Sequence, residues 1–138
     1  MKDVKKAAEL LIKKGSAVFI ASVDSDGFPN LKAILAPRKI VGLKTFFFAT
    51  NTSSLRVAQY RAFPKAAIYF CNQQNFTCLM LRGTMEVLED QKSKEMIWLG
   101  TDTQYYKGGV ADPDYCVLKF TAGTGRQYQL FQSHDFTV

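Results

Sequence analysis

Cysteine, histidine, tryptophan and proline are all scarce in this chain, and each scarcity narrows what it can be. The three cysteines, Cys71, Cys78 and Cys116, are odd in number and show no C-x-x-C spacing. That argues against a disulfide framework and against a zinc site. They read as reduced, buried thiols of a cytoplasmic protein. The single histidine, His134, lies near the C-terminal end without the serine or cysteine partner of a nucleophilic triad. Asp and Glu are spread out and offer no metal cluster. No apolar run approaches the ~20 residues of a membrane span. Met1-Lys2-Asp3-Val4-Lys5-Lys6 has the charge of an export signal. The apolar segment after it, however, is interrupted by Glu9, ends in Lys13-Lys14 and has no small-residue cleavage pattern, so it reads as an amphipathic helix.

Apolar residues make up 47% of the chain and aromatic ones 13%, enough for a real core and too many for disorder. The 138 residues fit one domain, 1–138. The net charge of +6 admits nucleic acid or an anionic cofactor as partner. The lysines are scattered outside the first helix, and no aromatic platform interleaved with arginines is evident. The expectation is therefore no nucleic acid and no membrane, with most of the charge solvated and one or two cations serving a phosphate.

Val4, Ala7, Ala8, Leu11 and Ile12 recur at spacings of three and four, which predicts a helix from about Lys2 to Lys14, ended by Gly15. Strands follow at Ala17–Val23, Pro29–Pro37 and Leu43–Thr50, with Asp24-Ser25-Asp26-Gly27 and Gly42 as turns. A helix from Ser54 to Phe63 is closed by Pro64. Lys65–Cys71 and Phe76–Leu88 are the next strands, the second bent at Gly83. A helix spans Glu89–Leu99, and Thr101–Asp114 is irregular. Tyr115–Phe120 and Arg126–Phe131 form a last hairpin across Ala122-Gly123-Thr124-Gly125. Short connections rule out an all-parallel sheet, and antiparallel strands with a few helices predict a small closed or nearly closed barrel.

The most informative stretch is Phe46-Phe47-Phe48-Ala49-Thr50-Asn51-Thr52-Ser53-Ser54-Leu55-Arg56. A buried aromatic strand breaks into small hydroxyl and amide residues and restarts as a helix with a cation in its first turn. Hydroxyls, free N–H groups at a helix start and a guanidinium together suit a phosphate. Read blandly, Ser53 and Ser54 are only a helix N-cap and Arg56 only a solvated helix residue. Thr50 beside them favours the pocket.

Four further groups join this stretch: Asp26-Gly27-Phe28-Pro29-Asn30-Leu31-Lys32, Phe63-Pro64-Lys65, Arg82-Gly83 with Met85-Glu86-Val87, and Trp98 with Tyr105, Tyr106, Gly109 and Asp112-Pro113-Asp114-Tyr115. In this order the chain resembles the pyridoxamine 5'-phosphate oxidase-like, FMN-binding split β-barrel superfamily, and within it the small general stress proteins. The resemblance implies a mainly β (α+β) fold, a six-stranded antiparallel split β-barrel with Greek-key topology and flanking short helices. It implies a homodimer with two FMN molecules in clefts between subunits. Thr50, Ser53, Ser54 and Arg56 then hold the phosphate, and Lys32, Ala33, Ile34 and Leu35 line the flavin ring. Phe76, Leu79, Trp98 and Tyr105 are candidates to close the pocket from the second subunit.

FMN carries its own redox chemistry, so the protein needs only to hold and tune it. Lys32, pointing inward, raises the potential of a ring that turns anionic on reduction; on a strand it is more often simply exposed. Trp98 has the ordinary alternative of packing a helix on the barrel, and Asp112 that of capping a turn. The expected function is a flavin-dependent oxidoreductase acting on a small molecule, with reduced nicotinamide or another electron donor. The alternatives are a non-catalytic flavin-binding module of stress responses, or a related barrel holding deazaflavin or haem. Oxidation of vitamin B6 itself is not expected, because Phe131-Gln132-Ser133-His134-Asp135-Phe136 lacks the arginine with which the longer oxidases grip their substrate.

Overall fold

The computed structural model describes residues 2–14 and 17–138; the expected helix stop at Gly15 lies outside them. Helix α1 (Lys2–Lys13) lays Ala8 and Leu11 into the core, with Val4 and Ile12 at its edge. Eight strands follow: β1 (Ala17–Val23), β2 (Pro29–Ile34), β3 (Lys39–Val41), β4 (Thr45–Asn51), β5 (Lys65–Asn72), β6 (Thr77–Leu88), β7 (Tyr115–Gln129) and β8 (Gln132–Thr137). Helix α2 (Leu55–Ala62) links β4 to β5, and α3 (Gln91–Ile97) follows β6.

All pairings are antiparallel, in the order β2-β1-β5-β6-β7-β4-β3, with β8 on β7. The sheet does not close, because β2 and β3 end the path. Strands β4 and β5, consecutive in the chain, are separated by β6 and β7, which makes β4–β7 a Greek key. The expected split barrel is therefore present, with eight strands in place of six. The two extra strands escape periodicity for a plain reason. All three residues of β3 are exposed, and only Phe136 of β8 is buried.

Strand β4 shows why its aromatic run is continuous. Phe46, Phe48 and Thr50 face the main core at 0%, 0% and 4% exposure. Phe47 and Ala49 face the other way, onto a second cluster of Ile97, Tyr115 and Val117 beneath α3. Both faces are covered, so alternation of polarity is lost.

The expected last hairpin is corrected. Residues 115–129 form one strand, and the turn lies at Leu130-Phe131. Ala122-Gly123-Thr124-Gly125 sits inside β7, where the register with β6 shifts between Arg82 and Gly83, so the bend expected at Gly83 is a bulge. The glycines serve close approach rather than a turn. A Cβ on Gly83 would lie 1.8 Å from the Thr121 carbonyl oxygen, and one on Gly125 would lie 2.4 Å from the Phe136 ring. The long β7 pairs β6 along one edge and shares its other edge between β4 and β8. The second strand also ends earlier than expected, at Ile34, leaving Leu35 beyond it and 72% exposed.

Candidate functional site

The end of β4 and the start of α2 form a pouch. Thr50 is buried, and its Oγ1 accepts a 2.7 Å hydrogen bond from Nη2 of Arg56. Ser54 has extended N-cap geometry, φ −69° and ψ 147°, yet its hydroxyl makes no capping bond. Ser54 Oγ and Arg56 Nε are instead buried without a partner. Leaving a buried polar atom unpaired costs about 1–3 kcal/mol. The two atoms lie within one helix turn of each other. Among the described residues Arg56 has no acidic partner, whereas Arg38, Arg61 and Arg126 are each paired.

The neighbouring loop donors are already engaged. Thr52 N–H donates to the Asp114 carbonyl at 2.7 Å, and Ser53 N–H donates to Asp114 Oδ1 at 2.8 Å. Asp112 holds this turn in shape. Its carboxylate accepts from the Asp114 and Gly108 N–H groups, which keep it below the usual carboxylate range, so the capping role considered for Asp112 is real. Segment 112–114 therefore braces the pouch from outside.

Beside the pouch opens a cleft of about 660 Å³, within the range of small-molecule sites. Ala33, Ile34 and Leu35 from the end of β2 line it together with Tyr105 and Tyr106. Thr50 and Arg56 lie at one end, with Asn51 and Asp114. Arg38, Asp102, Ala49 and Gln104 complete the lining. Arg38 Nη2 donates to Asp102 Oδ1 at 2.8 Å, Nη1 donates to Oδ2, and Nη1 also reaches the Ile97 carbonyl at 3.2 Å. Asp102 Oδ2 accepts from Leu99 N–H as well. Burial alone pushes the Asp102 carboxyl up, but the Arg38 and Leu99 bonds outweigh it and hold the carboxyl below its ordinary value. Arg38 is neutralised by this pair, so Arg56 is the lining cation with capacity to spare.

Ala33, Ile34, Leu35, Thr50, Arg56 and Tyr105 are thus brought together around the cleft. Lys32, Ser53, Ser54 and Trp98 do not line it in this subunit. Lys32 is exposed, and Ser53 is exposed with its Oγ accepting from Asn51 Nδ2. Trp98 packs edge-on against Tyr115 at 5.0 Å in the second cluster. Leu79 is fully buried in the core and Phe76 is 67% exposed, remote in sequence from the lining. Sequence reasoning missed Arg38 and Asp102. The one local signal was Asp102 three residues after Leu99, the spacing of a carboxylate that caps a turn.

Comparison with known proteins gives this geometry a family. The family model for pyridoxamine 5'-phosphate oxidase matches residues 4–129. Pyridoxine/pyridoxamine 5'-phosphate oxidase of Rhizobium meliloti is 30% identical over 92 residues, 67% of this chain and 44% of that protein. The chain spans less than half the length of the curated relatives it matches. A protein related to general stress protein 26, from Clostridium acetobutylicum, superposes with a TM-score of 0.90 at 35% identity, covering 100% of this chain and 96% of that one. Two more distant structures share the fold alone. An FMN-binding protein related to pyridoxamine 5'-phosphate oxidase, from Nostoc punctiforme, gives 0.76 at 13% identity, covering 96% and 95% of the two chains. A haem-binding protein from Mycobacterium smegmatis gives 0.78 at 13%, covering 97% and 57%. By sequence and by architecture, this chain belongs to the pyridoxamine 5'-phosphate oxidase family, alongside proteins related to general stress protein 26.

Proposed function

We propose that the protein binds FMN and is a flavin-dependent oxidoreductase acting on a small molecule, with the phosphate in the pouch between β4 and α2. The observation that carries this reading is the pair of buried, unpartnered atoms, Ser54 Oγ and Arg56 Nε. An oxyanion satisfies both, with charge assistance from the guanidinium. Ser54 does not line the cleft itself, and the phosphate sits between its hydroxyl and Arg56 at the start of α2. Arg56 keeps its bond to Thr50, which fixes the guanidinium plane. The N–H groups opening α2 add a favourable dipole.

When bound, FMN supplies hydride and electron transfer, and this chain's residues bind and orient it. Ile34, Leu35 and Tyr105, which line the cleft, offer apolar and aromatic surface to the ring. The wall is incomplete in one subunit: Leu35 and Tyr105 are 72% and 66% exposed. A second copy closing over them gives the homodimer with cofactor sites at the interface that the family resemblance implies. Cytoplasmic residence is part of the same proposal; all three cysteines are free, and no helix among the described residues is long and apolar enough to cross a membrane.

The test is reconstitution with FMN and with riboflavin, followed by mass analysis of the ligand released from native protein. FMN binding with flavin absorbance, weakened far more by Arg56→Ala than by Lys5→Ala, supports the assignment. Equal effects of the two substitutions contradict it. A haem spectrum in place of a flavin one replaces the cofactor. Photoreduction followed by a screen of donors, NAD(P)H included, and acceptors separates an oxidoreductase from a module that only holds flavin.

A further inference from the structure

Away from the cleft, Cys71 on β5 and Cys78 on β6 stand directly opposite each other, one step from the end of their hairpin. Their sulfurs are 3.3 Å apart, with the Cys78 thiol donating to Cys71. Directly paired antiparallel residues have Cα separations of about 4.5–5.5 Å, inside the window a disulfide requires. Alternation puts both side chains on the outer face of the sheet, because Phe70 and Leu79 beside them fill the core. Cys71 is partly exposed, while Cys78 is only 5% exposed. Cys116, the third thiol, is fully buried on β7, where Thr50 is its partner across the ladder.

We propose that Cys71 and Cys78 are a reversible modification site that closes into an intrachain disulfide when the protein meets hydrogen peroxide. Cys71, the accessible member, reacts first. Its thiolate attacks a peroxide oxygen, the O–O bond breaks, and the departing hydroxide takes a proton to become water, leaving a sulfenic acid. The Cys78 thiolate then attacks the Cys71 sulfur. The S–O bond breaks, a second water leaves, and the S–S bond forms. Two thiols lose two electrons in all, and one peroxide is reduced to two waters. The short approach of Cys78 makes capture of the sulfenic acid faster than its further oxidation. Burial, with the bond from Cys78, pushes the Cys71 thiol up to about 11, so the site fills under sustained oxidant rather than at first encounter. Dithiothreitol reopens it.

The sequence makes the product easy to read. No Lys or Arg lies between Lys65 and Arg82, so trypsin releases both cysteines on one peptide, residues 66–82. Reduced full-length protein is treated with hydrogen peroxide, quenched with catalase, alkylated under denaturing conditions and digested. Oxidation of Met96, which is 40% exposed, confirms that oxidant reached the protein. The expected peptide carries no alkyl groups, is about 2 Da lighter than the dithiol and regains two alkylation sites after dithiothreitol. Cys116 remains alkylatable throughout. Cys78→Ser leaves Cys71 as a sulfenic acid that dimedone traps, and Cys71→Ser leaves Cys78 reduced. The proposal is overturned if Met96 is oxidised while the peptide keeps both alkylatable thiols. Sulfinic or sulfonic acid at Cys71 in the unsubstituted protein, or a disulfide joining two chains, also overturns it.

Discussion

Ser54→Ala separates the two roles a serine at a helix start can have. A capping serine bonds a backbone N–H of the first turn, and removing it costs about 1 kcal/mol of stability. For a chain of this length that is a fall of about 3 °C in Tm. The Ser54 hydroxyl makes no such bond and lies buried without a partner. Alanine removes an unsatisfied group rather than a cap, so the ligand-free protein should keep its Tm within about 1 °C. The loss should appear in cofactor binding. A hydrogen bond to a charged phosphate contributes about 1.5–3 kcal/mol, which corresponds to a roughly 10- to 150-fold rise in Kd for FMN. Riboflavin, which lacks the phosphate, should bind both proteins alike. Thermal melts of ligand-free protein and fluorescence titrations with the two flavins read all three quantities. A Tm about 3 °C lower with unchanged FMN affinity would show that Ser54 is a cap and refute the pouch.

Three more substitutions test the surrounding structure. Asp102→Asn leaves the Arg38 guanidinium half-paired in a buried setting and should cost about 3–5 kcal/mol in urea denaturation. The Asp102 carboxyl is held below its ordinary value when folded, so its contribution is complete above the usual carboxylate range and lost as pH falls through the folded value. The stability gap between the original protein and Asp102→Asn should therefore shrink on acidification; a gap independent of pH would mean that the pair is not the source. Gly83→Ala forces a Cβ to within 1.8 Å of the Thr121 carbonyl and should destabilise by at least about 2 kcal/mol in the same assay, whereas a glycine in a free bend would tolerate it. Leu130 and Phe131 form the β7–β8 turn with φ of 51° and 63°, and are 77% and 94% exposed. Asn-Gly is the natural occupant of such a turn, so Leu130→Asn with Phe131→Gly should raise stability by about 1–3 kcal/mol and Tm with it. A lower Tm would show that the two apolar side chains are held by contacts within the fold.

The parts of the fold that were legible in sequence are those whose burial follows a period. Val4, Ala8, Leu11 and Ile12 mark a helix face, and Val18 and Ile20 mark the inward side of β1. The β7–β8 hairpin was not legible. The glycines at 123 and 125 have the composition of a turn while serving a bulge and a close contact, and Leu130-Phe131 has none of the composition of the turn it makes. Part of the cleft could be read locally, since Thr50 and Arg56 lie six residues apart on consecutive elements. Arg38 and Asp102 are 64 residues apart, and only the folded arrangement of the segment entering β3 and the segment after α3 brings them together. Trp98 carries the same sequence signal whether it faces a cofactor or packs on Tyr115.

The most direct test of the central claim is a crystal structure of the protein grown with FMN. The account predicts phosphate oxygens within hydrogen-bonding distance of Ser54 Oγ and Arg56 Nε, with the ring along Ile34 and Leu35. A flavin phosphate bound elsewhere, or a pouch still closed with both atoms unpartnered, would contradict it.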